Sequence, residues 1–397
     1  MSNSVFVLWL EGVTPEQCEP VPELMALAEQ GLDLRLAPLP LHEAQQCYYQ
    51  LLTGMGAGKL GRFDAVRPDT YKAREEQGMP EGAYGRLLPD VVRNARLSVA
   101  SIEIERVEEL EQLVGRANDF VLVRVRNAQT LSSTMLNTLV QRLRSIATPA
   151  SHLIVLTNVY NQPAHTYVNI NDFLAEIGLL EVEASHQPGT ILWPETLAYG
   201  LGSGQLWINL RGREAQGVVN AGREYQDVCE ALIRELKENW LDPRTHEPVV
   251  SQVLTRDDLY IGDYLFKAPD LTIVYRPGYA PSPNAFALAL DGQSILPVIA
   301  TLEAPYEVPY ARLLASGPVL ERKQKANARL IDVLPSIMYL LGQPIPYEVD
   351  GEVLLSLFTT DYRRRQRIEL ADDERDMLSD EEEGMIVDRL RDLGYLG

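Results

Sequence analysis

Histidine, cysteine and positive charge are all scarce in this chain of 397 residues. Lys and Arg number 36 against 56 Asp and Glu, which gives a formal net charge of −20. Because such a charge repels phosphate backbones and anionic lipid, we expect neither nucleic-acid binding nor membrane binding. Cys18, Cys47 and Cys229 are too few and too widely spaced for a disulfide framework or a zinc site of paired cysteines. This cysteine usage favours a reducing compartment.

A long hydrophobic run is also missing from the start of the chain. The segment MSNSVFVLWLEGVTP has a short apolar run without a basic region before it or a small-residue cleavage site after it. Glu11 and Pro15 interrupt the run too early for a membrane span. We therefore predict a first buried strand at this point and a cytoplasmic protein without membrane insertion.

Strands and helices are predicted to alternate along the chain. Continuous apolar runs indicate strands at residues 5–10, 120–125, 152–156, 205–210, 271–275 and 312–315. Helical spacing and terminal glycines indicate helices at 22–31, 132–146, 170–177, 225–240 and 331–341. This order predicts an α/β fold with a mainly parallel central sheet and helices on both faces. We place one domain at 1–358 and a charged C-terminal tail at 359–397, with a final helix at 381–393.

Several stretches occur in an order that is typical of one family. They are LWLEGVTPE, LLTGMGAGKLGRFD, YVNINDFLAEIGLL, WINLRGREAQGVV, YIGDYLFKAPDLTIVY, LLASGPVLE, IDVLPSIMYLLGQPIPYEVDGEVLLSLF and RLRDLGYL. Together they resemble the type I phosphodiesterase/nucleotide pyrophosphatase group of the alkaline phosphatase superfamily, especially its bacterial branch of predicted phosphohydrolases and phosphomutases. The resemblance implies an alkaline-phosphatase-like fold over nearly the whole chain, with a weakly matched insert at about 65–119.

The resemblance also implies a particular chemistry and the positions that would carry it. In this family two divalent cations, usually zinc, are held by aspartates and histidines, and a threonine or serine hydroxyl attacks phosphorus. Here Glu11 stands at the first metal-binding aspartate and Ala44 at the nucleophile. Asn158 and Val159 replace an aspartate–histidine pair, and Glu307 lies near the position of the last histidine. We therefore predict no catalytic residue and no metal ligand, and treat these five positions as a vestigial site.

The five histidines of the chain do not replace the missing metal ligands. None lies between residues 120 and 151 or after residue 246, where the family places metal ligands. His42 and His165 are read as loop residues, although either is an imaginable replacement ligand. His152, His186 and His246 are read as surface residues.

Other polar residues also admit two readings. Lys59 follows a glycine-rich turn that suggests a phosphate cradle, but Leu60 breaks the required spacing, so a structural turn is favoured. Asn209, Arg211 and Arg213 end a predicted strand and form a candidate anion-binding site, because a guanidinium group suits phosphate or carboxylate. The alternative is that these three residues only support the fold. Cys47, near the nucleophile position, is read as a buried hydrophobe rather than a thiol nucleophile.

Three functional hypotheses follow from these residues. The first is a non-catalytic pseudoenzyme that acts as a binding, scaffold or regulatory subunit, with another protein as partner, either an active homologue or a complex subunit. The second is a phosphohydrolase or phosphodiesterase with a rearranged site, in which Glu11, Asn158 and Glu307 hold one Mg²⁺ or Mn²⁺. The third is a sensor that binds a nucleotide or sugar phosphate through Arg211 and Arg213.

Overall fold

A computed structural model of the protein describes residues 4–37, 44–61, 63, 66–67, 72–73, 83, 86–113, 118–157, 166–183, 190–201, 204–281, 295–297 and 311–371. The strands among them are β1 Val5–Leu10, β2 Leu32–Ala37, β3 Val66–Arg67, β4 Lys72–Ala73, β5 Val99–Ile104, β6 Phe120–Val125, β7 His152–Thr157, β8 Thr166–Val168, β9 Val182–Glu183, β10 Thr190–Ile191, β11 Ala198–Leu201, β12 Gln205–Ile208, β13 Val250–Thr255, β14 Leu271–Tyr275, β15 Tyr279–Pro281, β16 Ile295–Pro297, β17 Ala311–Ser316 and β18 Gln324–Arg329. The helices are α1 Pro15–Cys18, α2 Pro22–Gln30, α3 Ala44–Thr53, α4 Ala57–Leu60, α5 Leu88–Asn94, α6 Ser133–Ile146, α7 Ile170–Glu176, α8 Arg223–Glu238, α9 Arg256–Leu259, α10 Val333–Leu341 and α11 Thr360–Arg365.

A seven-stranded sheet forms the centre of the molecule, in the order β18-β2-β17-β7-β1-β6-β5. Strands β5, β6, β1 and β7 pair in parallel. Strand β17 is antiparallel to both of its neighbours, β7 and β2, and β18 pairs in parallel with β2. The prediction of an α/β fold with a mainly parallel central sheet is confirmed. The parallel strands therefore end at one common edge, which is where ligands bind in open α/β sheets.

Both faces of this sheet are buried, which explains why its central strands β1, β6 and β7 are apolar at most positions. In β1, Val5, Val7 and Trp9 point into one core cluster, while Phe6, Leu8 and Leu10 point into the other. Helices α3, α5 and α10 contribute to the first cluster, and α2 and α6 to the second. Each fully buried large apolar side chain contributes roughly 1.5–3 kcal/mol through removal from water.

A second, four-stranded antiparallel sheet has the order β11-β12-β14-β13. Helices α7 and α8 pack against it around a core that includes Trp207 and Trp240. Trp240 stacks on Phe173 of α7, with ring centroids 4.9 Å apart. The loop that follows β12 is joined to the start of β14 by Arg213, which donates hydrogen bonds to Asp270.

The predicted helix boundaries agree closely with the structure. Ser132 caps α6, because its hydroxyl accepts a hydrogen bond from the Met135 amide at 3.3 Å. Helix α10 ends at Gly342, whose φ of 69° is the left-handed conformation that favours glycine. The predicted helix at 381–393 lies outside the described residues. Within the described part of the chain, no helix is both long and apolar enough to span a membrane.

Candidate functional site

An ionic cluster lies where β1, β5 and β6 end. We call Glu11, Glu103, Arg124 and Arg126 the Glu11 cluster. The Glu11 carboxylate accepts hydrogen bonds from Arg124, with Nε and Nη2 each 3.0 Å from Oε2. Glu103 contacts Arg126 and lies 3.9 Å from Nη1 of Arg124. Glu11 stands where the resembled family has its first metal-binding aspartate, and its observed partner is the guanidinium group of Arg124.

Strand register explains why these side chains meet. Arg124 of β6 lies beside Trp9 of β1 and beside Glu103 of β5, and partners in adjacent strands point to the same face. Glu11 follows β1 directly, and its backbone amide donates to the Val125 carbonyl at 3.1 Å. The side chains of Arg124 and Glu11 remain 28% and 34% exposed. The pair is therefore partly exposed to solvent.

Gly12 shapes the turn that carries Glu11. Its φ is +80°, and a Cβ at this position would lie 2.2 Å from Oε1 of Gln129. The left-handed backbone favours glycine in this turn, whereas the exposed Gln129 side chain can move aside. This conformation accounts for the glycine that follows Glu11.

The structure describes only some of the other positions of the predicted vestigial site. Ala44 is the first residue of α3. Thr157 ends β7, is buried, and accepts a hydrogen bond from the Arg312 amide at 2.8 Å. Asn158, Val159 and Glu307 lie outside the described residues. The vestigial-site assignment at these positions stays a prediction.

Groups of three or more His, Cys, Asp or Glu residues placed to hold a metal ion are absent from the part of the chain that the structure describes. The carboxylates nearest the strand ends, Glu11 and Glu103, are both engaged by arginines. Zinc would need imidazole, thiolate or carboxylate donors converging on one point. The described donor set at this edge therefore does not fit the two zinc ions that the family resemblance implies.

The predicted anion-binding residues separate into buried and exposed members. Asn209 is fully buried, and its amide nitrogen donates to the carbonyls of Trp193, Thr196 and Gln216 at 2.8–3.2 Å. Arg211 is exposed and contacts Asn220 at 3.2 Å. Asn209 thus has a structural role in joining the loops around β12. The anion-binding role of Arg211 stays a prediction.

Arg213 is engaged by the protein itself. Its Nε donates to Glu214 at 2.7 Å, and Nη1 and Nη2 donate to Asp270 at 2.9 and 2.5 Å. Burial raises the pKa of Glu214 to about 7, although its bond to Arg213 opposes the shift. Tyr225 also donates to Asp270, at 2.8 Å. The observed partners of Arg213 are internal, so binding of a foreign anion would require rearrangement of a buried network.

Lys59 is held by the structure in the manner predicted for a structural turn. Its ammonium group lies 2.6 Å from Asp350 and donates to the Glu348 carbonyl at 2.6 Å. The amide of Gly56 donates to the same aspartate at 2.8 Å. The glycine-rich turn is therefore fastened to the segment that follows α10.

The surface location predicted for His152 is wrong. The side chain is fully buried at the start of β7, and its ring packs against Gly317, where a Cβ would lie 2.1 Å from Cδ2. His246 is exposed, as predicted. His42, His165 and His186 lie outside the described residues, as does the side chain of Cys47. The sequence offers no local sign of the burial of His152, because its contact is with Gly317, which follows β17 and lies 165 residues further along the chain (317 − 152).

The pairing of Glu11 with Arg124 was not predicted from the sequence. Arg124 interrupts an apolar strand, FVLVRV, in which the other five side chains are buried. The sequence did contain one sign of the pairing. A charged residue near the end of an apolar strand indicates that an opposite charge lies close to it.

The mainly parallel central sheet with helices on both faces is a mixed α/β fold of the alkaline-phosphatase-like class. Solved structures with this fold include human ectonucleotide pyrophosphatase/phosphodiesterase 5, with a TM-score of 0.54, 12% identity, and coverage of 90% of this chain and 100% of that chain. The murine protein gives a TM-score of 0.51 at 10% identity, with the same coverage of 90% and 100%. An inactive form of the murine protein in complex with AMP gives 0.52 at 11%, again covering 90% and 100%.

At these identities the likeness establishes the fold and leaves the chemistry open. No protein-family model matches the sequence, and no curated protein matches it in a sequence search.

Proposed function

We propose that this protein is a non-catalytic, alkaline-phosphatase-like protein that acts as a binding, scaffold or regulatory subunit. The observation that carries the proposal is the Glu11–Arg124 pair at the end of β1, where the resembled family holds its first metal ion. A guanidinium group now supplies the positive charge beside the carboxylate. The partner of such a subunit is proposed to be another protein.

Electrostatics oppose a metal ion at this position. At about 4 Å, two like unit charges repel by about 4 kcal/mol at an effective dielectric constant of about 20, and a divalent ion doubles that repulsion. Arg124 contacts the same oxygen of Glu11 through two nitrogens, so a metal ion would have to displace it to use that oxygen. Even without Arg124, the single carboxylate of Glu11 would be a weak metal site, since zinc in proteins is held by three or four protein ligands.

The nucleophile position adds a second, independent argument. Residue 44 is alanine, which has no hydroxyl group to attack phosphorus. Val159 offers no ligand atom where the resembled family has histidine. Loss of one ligand would weaken a metal site. Loss of several ligands and of the nucleophile removes both metal binding and the attack on phosphorus, the two steps of the family's chemistry.

The test combines metal analysis with an activity assay on the purified protein. After incubation with zinc, manganese or magnesium and removal of free metal, we expect a metal content far below one equivalent. We also expect no hydrolysis of bis(p-nitrophenyl) phosphate with any of these ions. AMP titration in the same preparations measures whether nucleotide binding persists without turnover.

A contrary result is equally specific. Stoichiometric metal, with turnover that Glu11→Ala abolishes and Glu105→Ala leaves intact, would overturn the proposal. Glu105 is the matched control because it is an exposed carboxylate that follows β5. That result would support the rearranged hydrolase site with Glu11, Asn158 and Glu307 around one Mg²⁺ or Mn²⁺.

A further inference from the structure

Residues 360–371, TDYRRRQRIELA, form a segment on which positive charge is concentrated. We call it the arginine segment. It consists of helix α11 and the extended stretch that follows it, and all of its arginines are exposed: Arg363, Arg364, Arg365 and Arg367. In a chain with a net charge of −20, this is the densest run of positive charge. A charged run on a surface is by itself only a solvated surface, so its function depends on three further features.

The first feature is that the segment is anchored to the core. Tyr362 is buried, and its hydroxyl group lies within hydrogen-bond distance of the Tyr339 and Leu340 carbonyls, at 3.0 and 2.9 Å. Its ring stacks on Phe358, with ring centroids 5.7 Å apart. The Tyr339 hydroxyl in turn donates to the Gln366 carbonyl at 3.0 Å. The arginines between these anchors therefore have a fixed backbone, which reduces the entropy that is lost when they bind a ligand.

The second feature is that none of the four arginines forms an ion pair with a carboxylate of the described residues. Arg363 donates to the Thr360 hydroxyl and Arg365 to the Asp361 backbone carbonyl, both at 3.1 Å. The acids of the segment itself are Asp361 and Glu369, so two positive charges remain in excess. The guanidinium groups are therefore available to carboxylates from outside the chain.

The third feature is an open strand edge beside the arginines. The Ile345 amide donates to the Glu369 carbonyl and the Ala371 amide to the Ile345 carbonyl, both at 2.8 Å. This bridge uses one side of the extended stretch. The amides of Ile368 and Leu370 lie on the other side and bond to no acceptor among the residues that the structure describes. Their side chains are 47% and 66% exposed, so the edge also presents two aliphatic groups.

We propose that the arginine segment is a docking surface for an extended, acidic segment of a partner protein. The partner adds a strand beside Ile368 and Leu370 and places its carboxylates on the neighbouring arginines. Backbone hydrogen bonds then supply affinity, and the charged and aliphatic side chains supply specificity. The inference names the chemistry of the protein partner and rests on the proposed function in that respect. Peptide binding is measured without reference to metal content or hydrolysis, so the two proposals can fail separately.

The charge of the whole chain favours a short acidic segment over a phosphate polymer or an anionic membrane. At about 0.15 M salt, exposed charges are screened over about 8 Å, so a peptide confined to the arginine segment is shielded from the rest of the molecule. A nucleic acid or a lipid surface extends further and meets the net charge of −20, which repels it. The exposed aliphatic groups also suit a peptide better than a phosphate backbone.

Fluorescence anisotropy with two labelled, terminally blocked peptides tests this docking on the full chain. The sequences VTVEEEE and EEEEVTV place glutamates beside the arginines in antiparallel and in parallel strand addition, respectively. We expect at least one of them to bind, with an affinity that falls as sodium chloride is added, because salt screens exposed charges. Three altered versions of that peptide should bind at least about tenfold more weakly: glutamine for glutamate, serine for valine, and N-methylation of the three strand residues.

Charge-removing variants then place the binding on the arginine segment. The double change Arg364→Gln with Arg365→Gln should raise the Kd by about tenfold, because two carboxylate contacts are lost. The double change Arg234→Gln with Lys237→Gln is the matched control, since both residues are exposed on α8, and it should leave the Kd unchanged.

A second pair of variants tests the aliphatic edge. Leu370→Ser should raise the Kd by about threefold or more, because the peptide covers this side chain. Ile261→Ser, at another aliphatic side chain that is 76% exposed, should have no effect. Circular dichroism melting of each variant separates lost binding from lost folding. Because the exchanged side chains are exposed, we expect melting temperatures close to that of the parent protein.

Several results would overturn the proposal. They are no binding by either peptide, equal binding by the glutamine or the N-methylated version, and equal weakening by the control variants. Tighter binding of a single-stranded oligonucleotide or of phosphatidylserine vesicles than of either peptide would also overturn it, because the surface would then recognise phosphate.

Discussion

Replacement of His152 provides a direct measure of what a buried histidine does to the stability of this fold. The side chain is fully buried at the start of β7, and neither ring nitrogen has a hydrogen-bond partner among the described residues. Burial lowers the pKa of His152 to about 4, from 6.5 for an unperturbed histidine. In the folded protein the ring therefore stays neutral at pH values where it is protonated in the unfolded chain.

The sign of the effect follows from this difference. Above pH 6.5 both states are neutral at this residue, and its contribution to stability is fully present. As the pH falls from 6.5 towards 4, the unfolded state binds a proton that the folded state does not, so the free energy of unfolding decreases. Between pH 7.5 and pH 5 the expected loss from this one group is about 2 kcal/mol.

Urea unfolding of the parent protein and of His152→Phe at pH 7.5, 6.5 and 5 measures the effect. Phenylalanine keeps a flat ring against Gly317 but cannot bind a proton. The difference between the two proteins should therefore change by about 2 kcal/mol over this pH range, in favour of the variant at low pH. His246→Asn, a change at an exposed histidine, should follow the parent protein. A difference that stays constant with pH would refute the reasoning.

Two further substitutions test the packing around the candidate sites. Arg213→Leu leaves the buried Glu214 without a cation and Asp270 with only Arg256, 3.7 Å away, and should cost about 3–5 kcal/mol in urea unfolding, while Arg211→Leu, at an exposed arginine, should cost less than about 0.5 kcal/mol. Equal losses would show that the Arg213 network is not a coupled unit. Gly262→Ala combines a φ of +134° with a backbone collision, since a Cβ would lie 2.6 Å from the Gly58 carbonyl group, and should destabilise by about 2–4 kcal/mol, against about 1–2 kcal/mol for Gly178→Ala, which has a positive φ and open space around it. Similar losses at the two glycines would show that the approach of Gly262 to Gly58 is not tight.

The parts of the fold that were predicted from the sequence are those with a local signature. Strands β1, β6 and β7 are apolar at nearly every position because both faces of the sheet are covered. Helices α6 and α10 have apolar spacing and recognisable ends. These elements alone were sufficient to predict a mainly parallel α/β architecture.

Strands with weaker signatures were missed. Strand β18, QKANAR, has no large apolar residue because it lies at the edge of the sheet. Strand β2, LDLRLA, alternates between buried leucines and a polar face. Neither strand has a continuous apolar run, which was the sign that identified β1, β6, β7 and β17. The Glu11–Arg124 pair was missed for a related reason, because it depends on β1 and β6 being neighbours although more than a hundred residues of chain separate them.

The buried residues of β1 and the exposed charge that follows the strand differ in what they contribute to stability. All six residues of β1 are buried and contribute to two core clusters, whereas Glu11, the next residue, is 34% exposed. An ion pair as exposed as Glu11–Arg124 contributes at most about 1 kcal/mol to stability, so exchange of this residue barely affects the fold. The stability of β1 therefore depends little on the side chain at residue 11. A fold held by buried strands is compatible with different side chains at the strand ends, and this chain shares its fold with ectonucleotide pyrophosphatase/phosphodiesterase 5 at 12% identity.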